Sequence, residues 1–156
     1  MSRKIDVDLA PKVVGSSYPA PYGEPCAERV RRRLGDAAGL TQFGVNVVRL
    51  PPGCWSSQRH WHTGEDEFIF VVEGEVVLVT DAGEETLRAG DSAGFKAGDG
   101  DGHHLQNRTG RDALVLEVGS RRADEDEVFY SDIDLRLPKG HAPFLHRDGQ
   151  PYDKGK

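Results

Sequence analysis

The stretch Arg59-His60-Trp61-His62-Thr63-Gly64-Glu65-Asp66-Glu67 decides how this chain is read. Alternate residues of an extended strand share a face, so His60 and His62 project the same way and can grip one ion. The four residues 63 to 66, with Gly64 among them, are expected to turn the chain so that the next strand, Glu67-Phe68-Ile69-Phe70-Val71-Val72, returns alongside the first. Glu67 then faces the two imidazoles. Two histidines and a carboxylate suit a borderline divalent metal and leave positions open for water or substrate. Taken alone, the pair could equally sit on a solvated face, and the rest of the chain must decide.

Downstream, Gly90-Asp91 opens a second turn-and-strand unit that ends in His103-His104-Leu105-Gln106-Asn107, and His103 is positioned to be a further ligand from a neighbouring strand. Together these two segments resemble the paired motifs of the cupin superfamily. The first motif of that family is a glycine, a spacer, His-x-His, a short spacer, Glu, six residues and Gly; this chain reads Gly53, His60-Trp61-His62, Glu67 and Gly74. The second appears as Gly90, Lys96-Ala97-Gly98, His103 and Asn107. Lys96 stands where the family has proline, and four residues rather than two separate Gly98 from His103, so the loop before His103 departs from the pattern while the ligand positions are kept. More narrowly, Arg59-His60-Trp61-His62, Gly102-His103-His104-Leu105 and Phe144-Leu145-His146-Arg147-Asp148-Gly149 resemble a group of small bacterial cupins of largely unassigned activity. The resemblance implies an all-β double-stranded β-helix (jelly-roll barrel). It also implies one divalent transition metal per chain (Fe, Mn, Ni, Zn or Cu) on His60, His62, Glu67 and His103.

Composition is consistent with one domain. A chain of 156 residues buries one core but hardly two, and 19 glycines with 9 prolines suit many short strands joined by turns. The formal net charge of -6 argues against nucleic acid or an anionic membrane as partner. The longest apolar run, 68 to 72, is too short to span a bilayer, and the N-terminus has no apolar segment of signal-peptide length, so a cytoplasmic protein is expected. Cys26 and Cys54 read as small buried hydrophobes. Arg29 and Arg31-Arg32-Arg33 form the one basic cluster, read as a solvated face with contact to an anionic substrate as the other reading.

The chain divides into an N-terminal arm (1–42), a strand-rich middle (43–121) and a polar tail (122–156) expected to pack on the barrel or on a second subunit. Prolines in residues 11–25 favour an extended arm over a helix, and residues 26–34 fit a helical stripe or strand alternation, the latter preferred. From Phe43 onward, eight strands are expected at about 43–50, 54–62, 66–73, 75–81, 84–88, 91–96, 102–108 and 113–121. Asp124-Glu125-Asp126-Glu127 reads as a solvated acidic run, and His141 and His146 as surface residues. Alternation puts Gln58, Ile69, Val71, Leu105 and Asn107 on the metal side. Arg59, Trp61, Phe68, Phe70, His104 and Gln106 fall outward, and Trp61, Phe68 and Phe70 among them form an apolar surface that a second sheet, the terminal arms or a homodimer partner would cover.

Two function classes follow. In one, the metal acts on a small organic substrate in isomerase, lyase or dioxygenase chemistry. In the other, the same pocket is a non-catalytic module that binds or senses a small metabolite. No nucleophile elbow or phosphate-cradling Gly-rich loop occurs.

Overall fold

A computed structural model describes residues 3–153. Its elements are nearly all strand. A short strand β1 (Lys12–Val14) precedes β2 (Val30–Arg33), a one-turn helix α1 (Leu34–Ala37) and β3 (Phe43–Leu50). Then come β4 (His60–His62), β5 (Glu67–Glu73), β6 (Glu75–Thr80), β7 (Gly83–Arg88) and β8 (Ser92–Phe95). The chain continues through β9 (His104–Gln106) and β10 (Ala113–Ser120), and the tail adds β11 (Val128–Tyr130) and β12 (Arg136–Leu137).

One sheet has six strands in the order β1-β2-β3-β10-β5-β8. Facing it are two three-stranded ribbons, β12-β11-β4 and β7-β6-β9. Antiparallel bridges His60↔His103 and Trp55↔Gln106 join them into a second wall. All pairings are antiparallel and the two walls enclose one core, the double-sheet solution of a jelly roll. Alternation fills it: Ile69 and Val71 of β5, Val76 and Leu78 of β6, Val48 and Leu50 of β3 and Val115 of β10 are buried together with Leu105 and Cys54. Both cysteines are free and buried, as expected, and burial pushes the Cys26 thiol up to about 11.

Two expectations about the sheets are corrected. Strand β4 is confined to 60–62, because residues 54–58 run as a buried connection whose backbone is held by the chain around β9, with Ser56 N–H donating to Leu105 O and Asn107 N–H to Cys54 O. More consequentially, β5 does not return alongside β4. Residues 63–66 make a corner that carries the chain from one wall to the other, so Glu67 meets the histidines from across the barrel. The tail fixes that corner: Thr63 N–H donates to Glu127 O, and Gly64 N–H to Asp126 Oδ1 at 2.7 Å. Gly64 fits because a Cβ there would lie 3.0 Å from Glu125 O.

Both terminal segments add strands to the walls. β2 pairs with β3, as alternation in residues 26–34 favours, and β11 pairs with β4. A second apolar cluster joins them, with Tyr18 and Tyr22 of the arm against Tyr130, Leu135 and Phe144 of the tail. Trp61 is accordingly covered, stacked on Phe129 with centroids 5.1 Å apart, while Phe68 and Phe70 remain exposed. His104 does lie on the strand face opposite His103 but is 4% exposed rather than superficial. It packs edge-on against Trp55 and bonds through Nδ1 to Ser57 O at 2.8 Å.

Candidate metal centre

Four side chains from the two motifs converge in the barrel. His60 and His62 come from β4, His103 from the residue just before β9, and Glu67 from the first position of β5 on the opposite wall. His103 Nε2 lies 2.7 Å from Glu67 Oε2; His60 Nε2 and His62 Nε2 lie 3.5 Å from Oε2 and Oε1 of the same carboxylate. The structure therefore brings all four sequence-predicted residues together, with the Nε2 of each imidazole no more than 3.5 Å from a Glu67 carboxylate oxygen.

The other ring nitrogens explain this orientation. His60 Nδ1 donates to Gln58 O at 2.8 Å, and His62 Nδ1 donates to Asp126 Oδ2 at 2.7 Å. A histidine whose Nδ1–H is held by a carbonyl or carboxylate keeps the Nε2 lone pair free, the usual arrangement behind a metal-bound imidazole. His103 Nδ1 has no hydrogen-bond partner among the described residues, and its ring is set instead by stacking on Phe95, 3.6 Å between centroids and 2° between planes. Once the imidazoles are neutral, three of them and one carboxylate fit a divalent transition ion, which takes the place of the Nε2 protons that otherwise face Glu67.

Electrostatics follow from the same contacts. Burial alone would raise the Glu67 pKa, but the charge of His60 and hydrogen bonds from His103, His60 and His62 outweigh it and hold the carboxyl well below its ordinary range. Burial also opposes protonation of His62, yet Glu67 and Asp126 override it and push this imidazole up to about 9. At His103 burial prevails over the Glu67 hydrogen bond and the pKa is lowered.

Two residues of the site escaped the sequence reading. Asp126 belongs to the apparently solvated acidic run but is fully buried, and its carboxylate accepts from His62, from Gly64 N–H and from His141 Nε2 at 2.6 Å. Burial raises its pKa, while the His62 and Gly64 bonds outweigh that and leave it lowered. His141, expected on the surface, is thereby brought to the site with a backbone φ of 56°, unusual for a residue with a side chain. Only the position of Asp126 just before the β-prone run Val128-Phe129-Tyr130 hinted that it enters the barrel. His146 bonds Asp134 and stacks on Tyr152, away from the cluster.

The cluster lines a cavity of about 610 Å³ whose wall also carries Tyr18, Arg29, Arg31, Glu117, Tyr130 and His141. A smaller cavity of about 190 Å³, bounded by Trp61, Leu78, Phe95 and Lys96, shares His62, Glu67 and His103 with it. Ile69 and Leu105 supply the aliphatic wall. Arg29 and Arg31 are not on a solvated face, whereas Arg33 is exposed as expected. Arg29 is 5% exposed, and Arg31 holds Glu117 in a fork with contacts of 3.1 and 3.3 Å.

Comparison with known proteins agrees with this architecture. The cupin domain family matches residues 46–119. No curated protein matches the chain. Among solved structures, a cupin-superfamily sugar phosphate isomerase from Silicibacter pomeroyi is 44% identical, with a TM-score of 0.89 and 97% of each chain covered. A putative sugar phosphate isomerase from Acidithiobacillus ferrooxidans is 27% identical over 83% of each chain, with a TM-score of 0.72. A polyketide cyclase from Streptomyces resistomycificus, at 20% identity and a TM-score of 0.61, shares the fold. With both motifs folded into one barrel and a relative matched over nearly its whole length, the chain belongs to the cupin superfamily.

Proposed function

We propose that this chain is a metal-dependent isomerase of a small phosphorylated sugar, with one divalent transition ion held by His60, His62, His103 and Glu67. The observation that carries the reading is the convergence of three Nε2 atoms on the Glu67 carboxylate in the wall of a cavity large enough for such a substrate. The relatives described as sugar phosphate isomerases support the choice of substrate class.

Interconversion of an aldose and a ketose moves one hydrogen between neighbouring carbons and one proton between their oxygens, and needs no oxidant. A divalent ion supplies polarisation of the carbonyl and its neighbouring hydroxyl when bound. The chain's own task is then to orient the sugar and to carry the proton. His141, held by Asp126 and lining the cavity, is our candidate for proton transfer, since a carboxylate fixes both the tautomer and the direction of an imidazole. The aliphatic side chains Ile69 and Leu105 line the same cavity and would pack against the sugar carbons.

The test is elemental analysis of the purified protein, followed by incubation with phosphorylated aldoses and ketoses in deuterated water, read by NMR. We expect close to one metal ion per chain, and interconversion that is independent of oxygen and lost in the His60→Ala, His62→Ala double variant. Oxygen-dependent turnover would replace the isomerase reading with a dioxygenase. Saturable sugar phosphate binding without conversion would replace it with a binding module.

A further inference from the structure

We infer that Arg29 and Ser16, in the arm-side wall of the large cavity, form the seat for the anionic group of the substrate. This inference rests on the proposed function for the identity of the ligand, but its observations are separate from the metal cluster.

Four arginines line the cavity: Arg29, Arg31, Arg33 and Arg121. Arg31 is forked onto Glu117, and Arg33 and Arg121 share Asp36. Arg29 has no carboxylate within ion-pair distance among the described residues. Its guanidinium donates to two backbone carbonyls, Ser56 O and Gly15 O, the latter at 2.7 Å. Carbonyl dipoles orient a guanidinium without neutralising it, and an uncompensated buried charge is costly. Burial, and then the charge of Arg31, lower the Arg29 pKa accordingly.

Two unpaired polar atoms mark the same place. Arg29 Nε and Ser16 Oγ are both buried without a hydrogen-bond partner among the described residues. They belong to neighbouring segments, because Gly15, the residue before Ser16, both donates its N–H to Arg29 O and accepts from the Arg29 side chain. Buried polar groups are almost always satisfied, so an orphaned guanidinium N–H and an orphaned hydroxyl on two linked segments that line one cavity call for a ligand that accepts hydrogen bonds and carries negative charge. A phosphate meets both demands, and a guanidinium is the side chain best shaped to hold one. The same cavity is thus lined by this donor-rich arm segment and by His60, His62, Glu67 and His103. A sugar phosphate would span the two.

The experiment titrates inorganic phosphate into the metal-loaded protein by calorimetry and thermal melting, without turnover. Three variants are compared with the wild type: Arg29→Gln, Ser16→Asp, and the His60→Ala, His62→Ala double variant. Loss of a charge-assisted hydrogen-bonded contact should weaken phosphate binding roughly ten- to a hundredfold in Arg29→Gln. Ser16→Asp, which brings its own carboxylate to Arg29, should weaken it comparably, and in both variants phosphate should no longer raise the melting temperature. The histidine double variant should bind phosphate nearly as well as wild type. Because the Ser16 side chain makes no bond, Ser16→Asp decides the matter if Arg29→Gln does not fold. Phosphate affinity that is unchanged in the folded arm variants, or absent in wild type into the millimolar range, overturns the seat. Binding lost only in the histidine variant would assign phosphate to the metal, which also overturns the seat but leaves the isomerase reading intact.

Discussion

At the scale of single residues, the grouping of His60, His62, Glu67 and His103 was legible because its pattern is local. Strand alternation fixes which of two neighbouring histidines shares a face with His60 and His62, and His103 does so while His104 turns to Trp55 and Ser57. His103→Ala should therefore abolish stoichiometric metal, whereas His104→Ala should retain it; metal titrations giving the reverse order would contradict the assignment. Asp126 was illegible because four consecutive acids carry no periodicity, and nothing in their composition says that one is fully buried. Its role makes a separate prediction. Asp126→Ala removes the group that orients His62, so chelator competition should show metal affinity reduced about ten- to a hundredfold. The same change leaves Gly64 N–H and His62 Nδ1 unpaired and should cost on the order of 1–3 kcal/mol in thermal or denaturant unfolding. A variant with wild-type affinity and stability would show that Asp126 does neither.

Among the elements, strands β3, β5, β6, β7 and β10 were readable from alternation and turn residues, and they fall within a residue or two of their expected limits. What alternation cannot say is which wall a strand joins, since it defines faces and not neighbours. That is why β4 and β5, separated by a four-residue corner, read as adjacent strands although they stand in opposite walls. The short strands of the tail escaped for a related reason: β11 holds its place through pairing with β4, not through a pattern of its own. Gly74, between β5 and β6, shows the converse, a position dictated by geometry and visible in the motif. Its φ is +81°, and a Cβ there would lie 2.8 Å from Asp112 O on the neighbouring chain segment. Gly74→Val should cost about 1–3 kcal/mol from backbone strain, and more from the clash. A melting temperature equal to wild type would show that the turn relaxes freely.

For the molecule as a whole, the outer face of the six-stranded sheet is apolar in register. Val45, Val118 and Phe68 lie side by side across β3, β10 and β5, as do Val47, Leu116 and Phe70 in the next row. Phe43, Phe68, Phe70 and Val72 are left exposed. Faces of this kind are where copies of a chain associate, and we propose that a homodimer closes this one. Sedimentation should give twice the mass of one chain for the wild type and a single chain for Phe68→Glu with Phe70→Glu; a monomeric wild type at high concentration would remove the proposal. The position of Asp126 also sets an order of events during synthesis. The carboxylate that orients His62 lies 64 residues downstream of it, and β11, which pairs with β4, lies beyond that again. When the first motif leaves the ribosome, the segment that aims its second histidine has not yet been translated. In the proposed centre His62 thus takes its final orientation late in the making of each copy, only after the tail that carries Asp126 and β11 has emerged.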